Sequence, residues 1–207
     1  MGQKIRGFVA QGMNGRRRRN SARLSKVIDS QTPGAFSYTA DHNGFAEVFA
    51  WGGGGSGRSS SGGGGDGAAS GAAIYRRVPV RKGGRVSGNI GAGGPGATLA
   101  NGNAGGDTTV VFPDGQEAVA RGGGGGIISG AIPGVPRTTG DTRGVVGNPA
   151  GGGTAGGAAT SVASIVSGVD PPSLSAGQAS RGSNGNTSGS SQDGGPGRLL
   201  IYFNRID

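Results

Sequence analysis

FAEVFAWGGGGSGRSSSGGGG, residues 45–65, passes from a run built for a strand into nearly pure glycine. Phe45, Val48, Phe49 and Trp51 are aromatic or β-branched and follow the turn signal Asp41-His42-Asn43-Gly44, so the run reads as a strand in need of a core. The glycines after Trp51 have no side chains to bury. They either stay solvated as linker or pack backbone against backbone, which only residues without a Cβ can do.

Outward from this stretch the pattern is one of short hairpins. AFSYTA and FAEVFAW flank DHNG, whose Asn-Gly step suits a tight hairpin turn. AAIYRRVPV and RVSGNI flank Arg81-Lys82-Gly83-Gly84, with Ile74, Val78 and Val80 on one face and Arg77 and Pro79 on the other. Pro79 points to an edge or a bulge there. TTVVF and QEAVAR flank Pro113-Asp114-Gly115 as a third hairpin, with Val110 and Phe112 alternating against Val111. The last apolar run, RLLIYFN at 198–204, reads as a buried closing strand. Before it lies a Gly/Ser/Ala-rich variable region, 137–197.

Glycine supplies 51 and proline 10 of the 207 residues, a level usual in low-complexity chains. The regular spacing of β-type clusters between the glycine blocks argues instead for an ordered domain over 35–207. Collagen is excluded, because glycine keeps no three-residue period. Without cysteine there are neither disulfides nor thiolate metal sites. No signal peptide and no run long enough to span a bilayer is visible.

The charge is uneven. Residues 1–34 hold Lys4, Arg6, Arg16, Arg17, Arg18, Arg19, Arg23 and Lys26 against Asp29, a net of +7 out of the chain's +9. Within this basic arm Leu24, Val27 and Ile28 fall at helical spacing behind Asn20 or Ser21 as a cap, which predicts a short amphipathic helix. Arg16, Arg17, Arg18, Arg19, Arg23 and Lys26 are the candidate docking residues. They suit salt-dependent, sequence-independent contact with nucleic acid or docking on an acidic protein, with a solubilising tail as the third reading. Arg76, Arg77, Arg81, Lys82 and Arg85 form a second cluster, read as the solvated face and turn of a hairpin.

Chemistry is sparsely provided for. Gly91-Ala92-Gly93-Gly94-Pro95-Gly96 satisfies G-x-G-x-x-G but opens no helix, so it carries no dinucleotide signal. His42, the one histidine, sits in a turn between Asp41 and Asn43. The expectation is a non-enzyme, with no catalytic residues, no metal site and no cofactor.

Taken in order, EVFAWGGGGSG, IYRRVPVRKGGRVSGNIGAGG, GGDTTVVFPDGQEAVARGGGGG and GGPGRLLIYF resemble the glycine-rich domain at the tips of bacteriophage tail fibres and in related virion attachment proteins, over roughly 35–203. The resemblance implies a mainly β fold, a small β-sandwich of short hairpins with packed segments similar to polyglycine II, here behind a basic N-terminal arm. It implies loops between glycine segments that meet a host surface receptor: Arg58, Asp66, Asn101, Asn103, Arg137, Asp141, Asn184 and Asn186. Tail fibres carry a long shaft before the domain; here there is the arm. The expected protein is therefore a smaller virion component, a spike, vertex, head-decoration or fibre-tip protein, made in the host cytoplasm. Its expected partners are other virion proteins, packaged nucleic acid through residues 1–34, a host receptor and further copies of itself. The alternative is a nucleic-acid-binding protein acting through the arginine-rich arm, with the glycine region as a flexible spacer; the lone Arg121-Gly122-Gly123 step speaks against it.

Overall fold

A computed structural model describes residues 24–61, 66–127, 131–150, 156–162, 181–186 and 189–206. Among these residues nine strands form two antiparallel sheets packed as a β-sandwich, as the sequence predicts: β1 (Leu24–Ser30), β2 (Gly34–Thr39), β3 (Gly44–Trp51), β4 (Ala73–Val80), β5 (Arg85–Ile90), β6 (Thr108–Val111), β7 (Glu117–Ala120), β8 (Arg143–Val145) and β9 (Arg198–Arg205). One sheet has the order β1-β9-β3-β4-β8 and the other β2-β5-β6-β7.

Burial explains the division. β3 is buried on both faces while β2 alternates, so β3 belongs in the middle of a covered sheet and β2 on a half-wetted one. Val48, Ala50, Ile74, Val78, Val86, Ile90, Val110, Phe112, Leu199 and Ile201 fill the space between the sheets. Phe49, Trp51, Tyr75 and Leu200 point to the other side of the larger sheet and form a second core against Ala159 and Val162.

Three local expectations are corrected. β2 does not pair with β3, nor β4 with β5; each DHNG and RKGG turn carries the chain from one sheet to the other. The two crossings hold each other instead: the Ala40 amide donates to Gly84 O (2.9 Å), Gly83 N–H to Ala40 O (2.7 Å) and Lys82 N–H to Asn43 Oδ1 (2.9 Å). Those bonds replace the ones a tight hairpin would have made. The third correction is the helix expected around Leu24, Val27 and Ile28, which is strand β1, paired with β9 and shifted in register between Lys26 and Ile28. Non-local pairing with a full strand outweighs the weak local helix preference of a segment containing Val27 and Ile28. Its alignment is held by Asp29, which takes Arg198 Nε at 3.0 Å and Nη2 at 3.1 Å.

The expected PDG hairpin forms as β6–β7, with Gly115 at φ +78°. β9 lies between β1 and β3, the buried closing strand. β8 covers β4 only from Ala73 to Tyr75, so Pro79 lies where β4 is an edge, in keeping with its missing N–H. Arg76, expected on a solvated face, is buried between the sheets, gripping Asp114 (Nη1–Oδ1 3.2 Å, Nη2–Oδ2 2.5 Å) and stacking on Phe112.

Candidate functional site

The glycine blocks leave the sandwich at the ends of β3, β5 and β7. Residues 52–60 continue from β3 and are central to what they build. The N–H groups of Gly52, Gly55 and Arg58 donate to Ala72, Ala69 and Asp66. Those of Gly53, Ser56 and Ser59 donate to Gly106, Asn103 and Ala100. Gly54 and Ser60 donate to Gly195 and Asn186, with Gly57 between them donating to Ser183 Oγ. The donors rotate through three directions, and in two of them the acceptors step back by three residues, 72, 69, 66 and 106, 103, 100. That is the threefold screw of an extended helix with no internal hydrogen bonds, whose N–H groups are all spent on neighbouring segments.

The carbonyls serve further neighbours: Gly53 and Ser56 accept from Gly123 and Gly126, Gly54 from Gly94, and Gly55 and Arg58 from Ser183 and Asn186. Segment 52–60 thus lies inside a bundle of like segments. Among the described residues only Gly34, Gly83, Gly115, Gly140 and Gly189 are glycines with positive φ, so those of the bundle are not there for conformational freedom. They are there because the backbones touch: a Cβ at Gly53 would lie 2.7 Å from the Ala92 carbonyl carbon, and one at Gly55 2.6 Å from that of Gly124. Small side chains are kept where they bond, as Ser56 Oγ accepting from Asn103 N–H and Ser70 Oγ from Asn148 N–H, each at 2.7 Å.

At the end of segment 52–60 remote from β3, neighbouring segments come together. Residues 58–61 and 97–101, Asn186 and residues 189–190 meet there: Ser59 bridges to Asn186, and Thr98 to Ser190. Arg58 pairs with Asp66 at 3.2 Å, and Asn186 Nδ2 donates to Ser190 O at 2.9 Å. A cavity of about 320 Å³ opens between Arg58, Ser59, Ser60, Ser61, Leu99, Ala100 and Asn101. Leu99 is 59% exposed and has φ +49°, a conformation a branched side chain seldom takes. A second cavity, about 370 Å³, is lined by Arg181, Ser183, Asn184, Gln192 and Asp193.

Of the residues expected to face a receptor, Arg58, Asp66, Asn101 and Asn186 converge on this tip, while Asn184 lines the second cavity. Asn103 is tied down, with its Nδ2 on Pro95 O at 2.8 Å. Asn184 Oδ1 accepts from Gly156 N–H at 2.9 Å. Arg137 lies elsewhere, against the β6–β7 hairpin, where it bonds Glu117 at 2.7 Å and exchanges backbone bonds with Val119, and Asp141 is exposed in the turn before β8. Leu99 escaped the sequence reading, since nothing local announces a leucine with positive φ. Among the docking residues Lys26 is exposed on β1, 3.1 Å from Asp29; Arg16, Arg17, Arg18, Arg19 and Arg23 lie outside the described residues.

Among the displaced carboxyls, Asp114 and Glu47 move in opposite directions. The hydrogen bond from Arg76 holds Asp114 below the usual carboxylate value. Burial pushes Glu47 up, with Arg77 3.9 Å away opposing it. Neither stands at the tip, and among the described residues no group of three or more His, Cys, Asp or Glu could hold a metal ion. No described helix is long and apolar enough to cross a membrane.

The comparisons with known proteins return one family, whose model, a glycine-rich domain, matches residues 30–203. No curated protein matches the chain.

Proposed function

Since the chain belongs to the glycine-rich domain family, we propose that it is a bacteriophage virion protein that presents the tip of its glycine bundle to a host surface receptor. The arm anchors it to the particle through capsid protein or packaged nucleic acid, and no catalysis is involved. The observation that carries this reading is the convergence of residues 58–61 and 97–101, Asn186 and residues 189–190 at one end of a scaffold bonded backbone to backbone. A recognition surface gains from such stiffness, because loops ordered beforehand lose less entropy on binding. Loops can also vary there without disturbing the packed glycines. The exposed Leu99, held at an unusual φ, adds an apolar anchor among Ser60, Ser61 and Asn101.

The reading of the glycine region as a flexible spacer is the poorer one, since segment 52–60 spends its backbone groups on neighbours. The test is competition. Purified protein added to host bacteria should slow adsorption of the parent phage, and Leu99→Asp with Asn101→Ala should abolish that effect without altering the fold. Equal competition by the variant would rule out the tip as the contact surface.

A further inference from the structure

A two-sheet sandwich has four edge strands, and each invites a further strand unless something discourages it. Three are discouraged here. β1 breaks register between Lys26 and Ile28 and carries the exposed Lys26. β7 is covered by Arg137, which exchanges two 2.8 Å backbone bonds with Val119. β8 is three residues long and begins with Arg143. β2 is different. Its six residues GAFSYT pair with β5 without a register shift, from Gly34–Ile90 to Thr39–Arg85. They include no charge, no proline and no bulge, and no described backbone bonds their outer edge. Phe36 and Tyr38 pack on the inter-sheet core yet stay half-buried, while Ala35, Ser37 and Thr39 are exposed.

We infer that β2 is a dimerisation strand: two copies of this chain pair antiparallel through β2 and join their four-stranded sheets into one of eight strands. The strand's own chemistry selects a second copy. Being uncharged, it sets no like charges opposite each other under a two-fold axis. With Ser37 at the centre, Ala35 of one copy faces Thr39 of the other. Phe36 and Tyr38 of both copies then meet on the inner side and cover each other's remaining exposed surface. This interface is independent of the attachment reading, since it is tested without receptor or phage.

Sedimentation velocity of the full chain over a range of concentrations reads the outcome, with two variants alongside, Ala35→Lys/Thr39→Lys and Ala35→Glu/Thr39→Glu. The unaltered chain should run as a dimer. Each variant alone should fall to half that mass while still unfolding cooperatively, and an equal mixture of the two should recover the dimer. A chain that stays monomeric, an assembly indifferent to the charged pairs, or a mixture that fails to reassociate overturns the inference. If a variant does not fold, amide exchange of the unaltered chain decides. Protection of β2 should rise with concentration while that of β1 does not; absence of concentration dependence overturns the dimer.

Discussion

The Trp51 indole N–H donates to the carbonyl of Thr160, 2.9 Å away in space and 109 positions later in the chain. Trp51 ends β3 where the glycines begin, and Thr160 belongs to the short segment that roofs the outer face of the larger sheet beside Val162. The bond ties that roof to the sandwich. Trp51→Phe loses it and leaves a void under a fully buried ring, at a cost of about 3 kcal/mol. Urea unfolding followed by circular dichroism measures the loss, and amide exchange should quicken first in 156–162.

Glycine matters in the bundle for a different reason than in the turns. Gly53→Ala places a Cβ against the backbone of Ala92, so it should cost about 3 kcal/mol or more. Gly83→Ala meets nothing within 4 Å but keeps φ +83°, and should cost only about 1 kcal/mol. Equal penalties in a denaturant series would contradict backbone contact in the bundle.

Amide exchange tests the bundle directly. The N–H groups of Gly53, Gly54, Gly55 and Ser56 each have a carbonyl partner 2.8–3.0 Å away, and should exchange on the timescale of the strands rather than of a linker. Exchange as fast as in an unstructured peptide would remove the packed bundle in solution.

Arg76 reaches from β4 to Asp114 in the β6–β7 turn and so clips the two sheets together. Asp114→Asn strips the charge partner from a buried guanidinium, but Asp114 itself is 38% exposed and solvent screens the loss, so the change should cost about 1–2 kcal/mol at neutral pH. Because the native carboxyl of Asp114 is held below 3.8, its stabilisation is present above that pH and lost as pH falls through the lowered value. The variant's deficit should therefore shrink in acid. A deficit independent of pH would mean that the charge of Asp114 contributes nothing.

Glu47 works the other way. Burial raises its carboxyl above 4.5, and its Oε2 has no hydrogen-bond partner among the described residues. Stability linked to this group is greatest below pH 4.5 and is lost as pH rises through the raised native value. Glu47→Gln removes that loss, so its thermal midpoint should gain on the unaltered protein as pH climbs from acid to neutral. A gap between the two that does not widen would refute the assignment.

Two-residue alternation identified the faces of β4 and β6 from Ile74, Val78, Val80, Val110 and Phe112 alone, because burying one side of a strand leaves its mark on every second residue. The closing strand and the PDG hairpin were as legible, since apolar density at 198–204 and a glycine suited to positive φ are local facts. That so many glycines want either water or each other was legible too, but not which. Partners were beyond reach: Asn43-Gly44 signals a turn, yet whether β3 folds back on β2 or crosses to meet β4 and β9 depends on segments far along the chain. β1 shows the same limit, its helical spacing overridden once β9 offers a row of backbone groups. The glycine bundle is the extreme case. A hydrogen bond from Gly54 to Gly195 has no trace in either neighbourhood, because glycine has no side chain to encode its partner. Composition determined that such a bundle was possible, and only the stacking of whole segments decided which backbones meet and which loops share the tip.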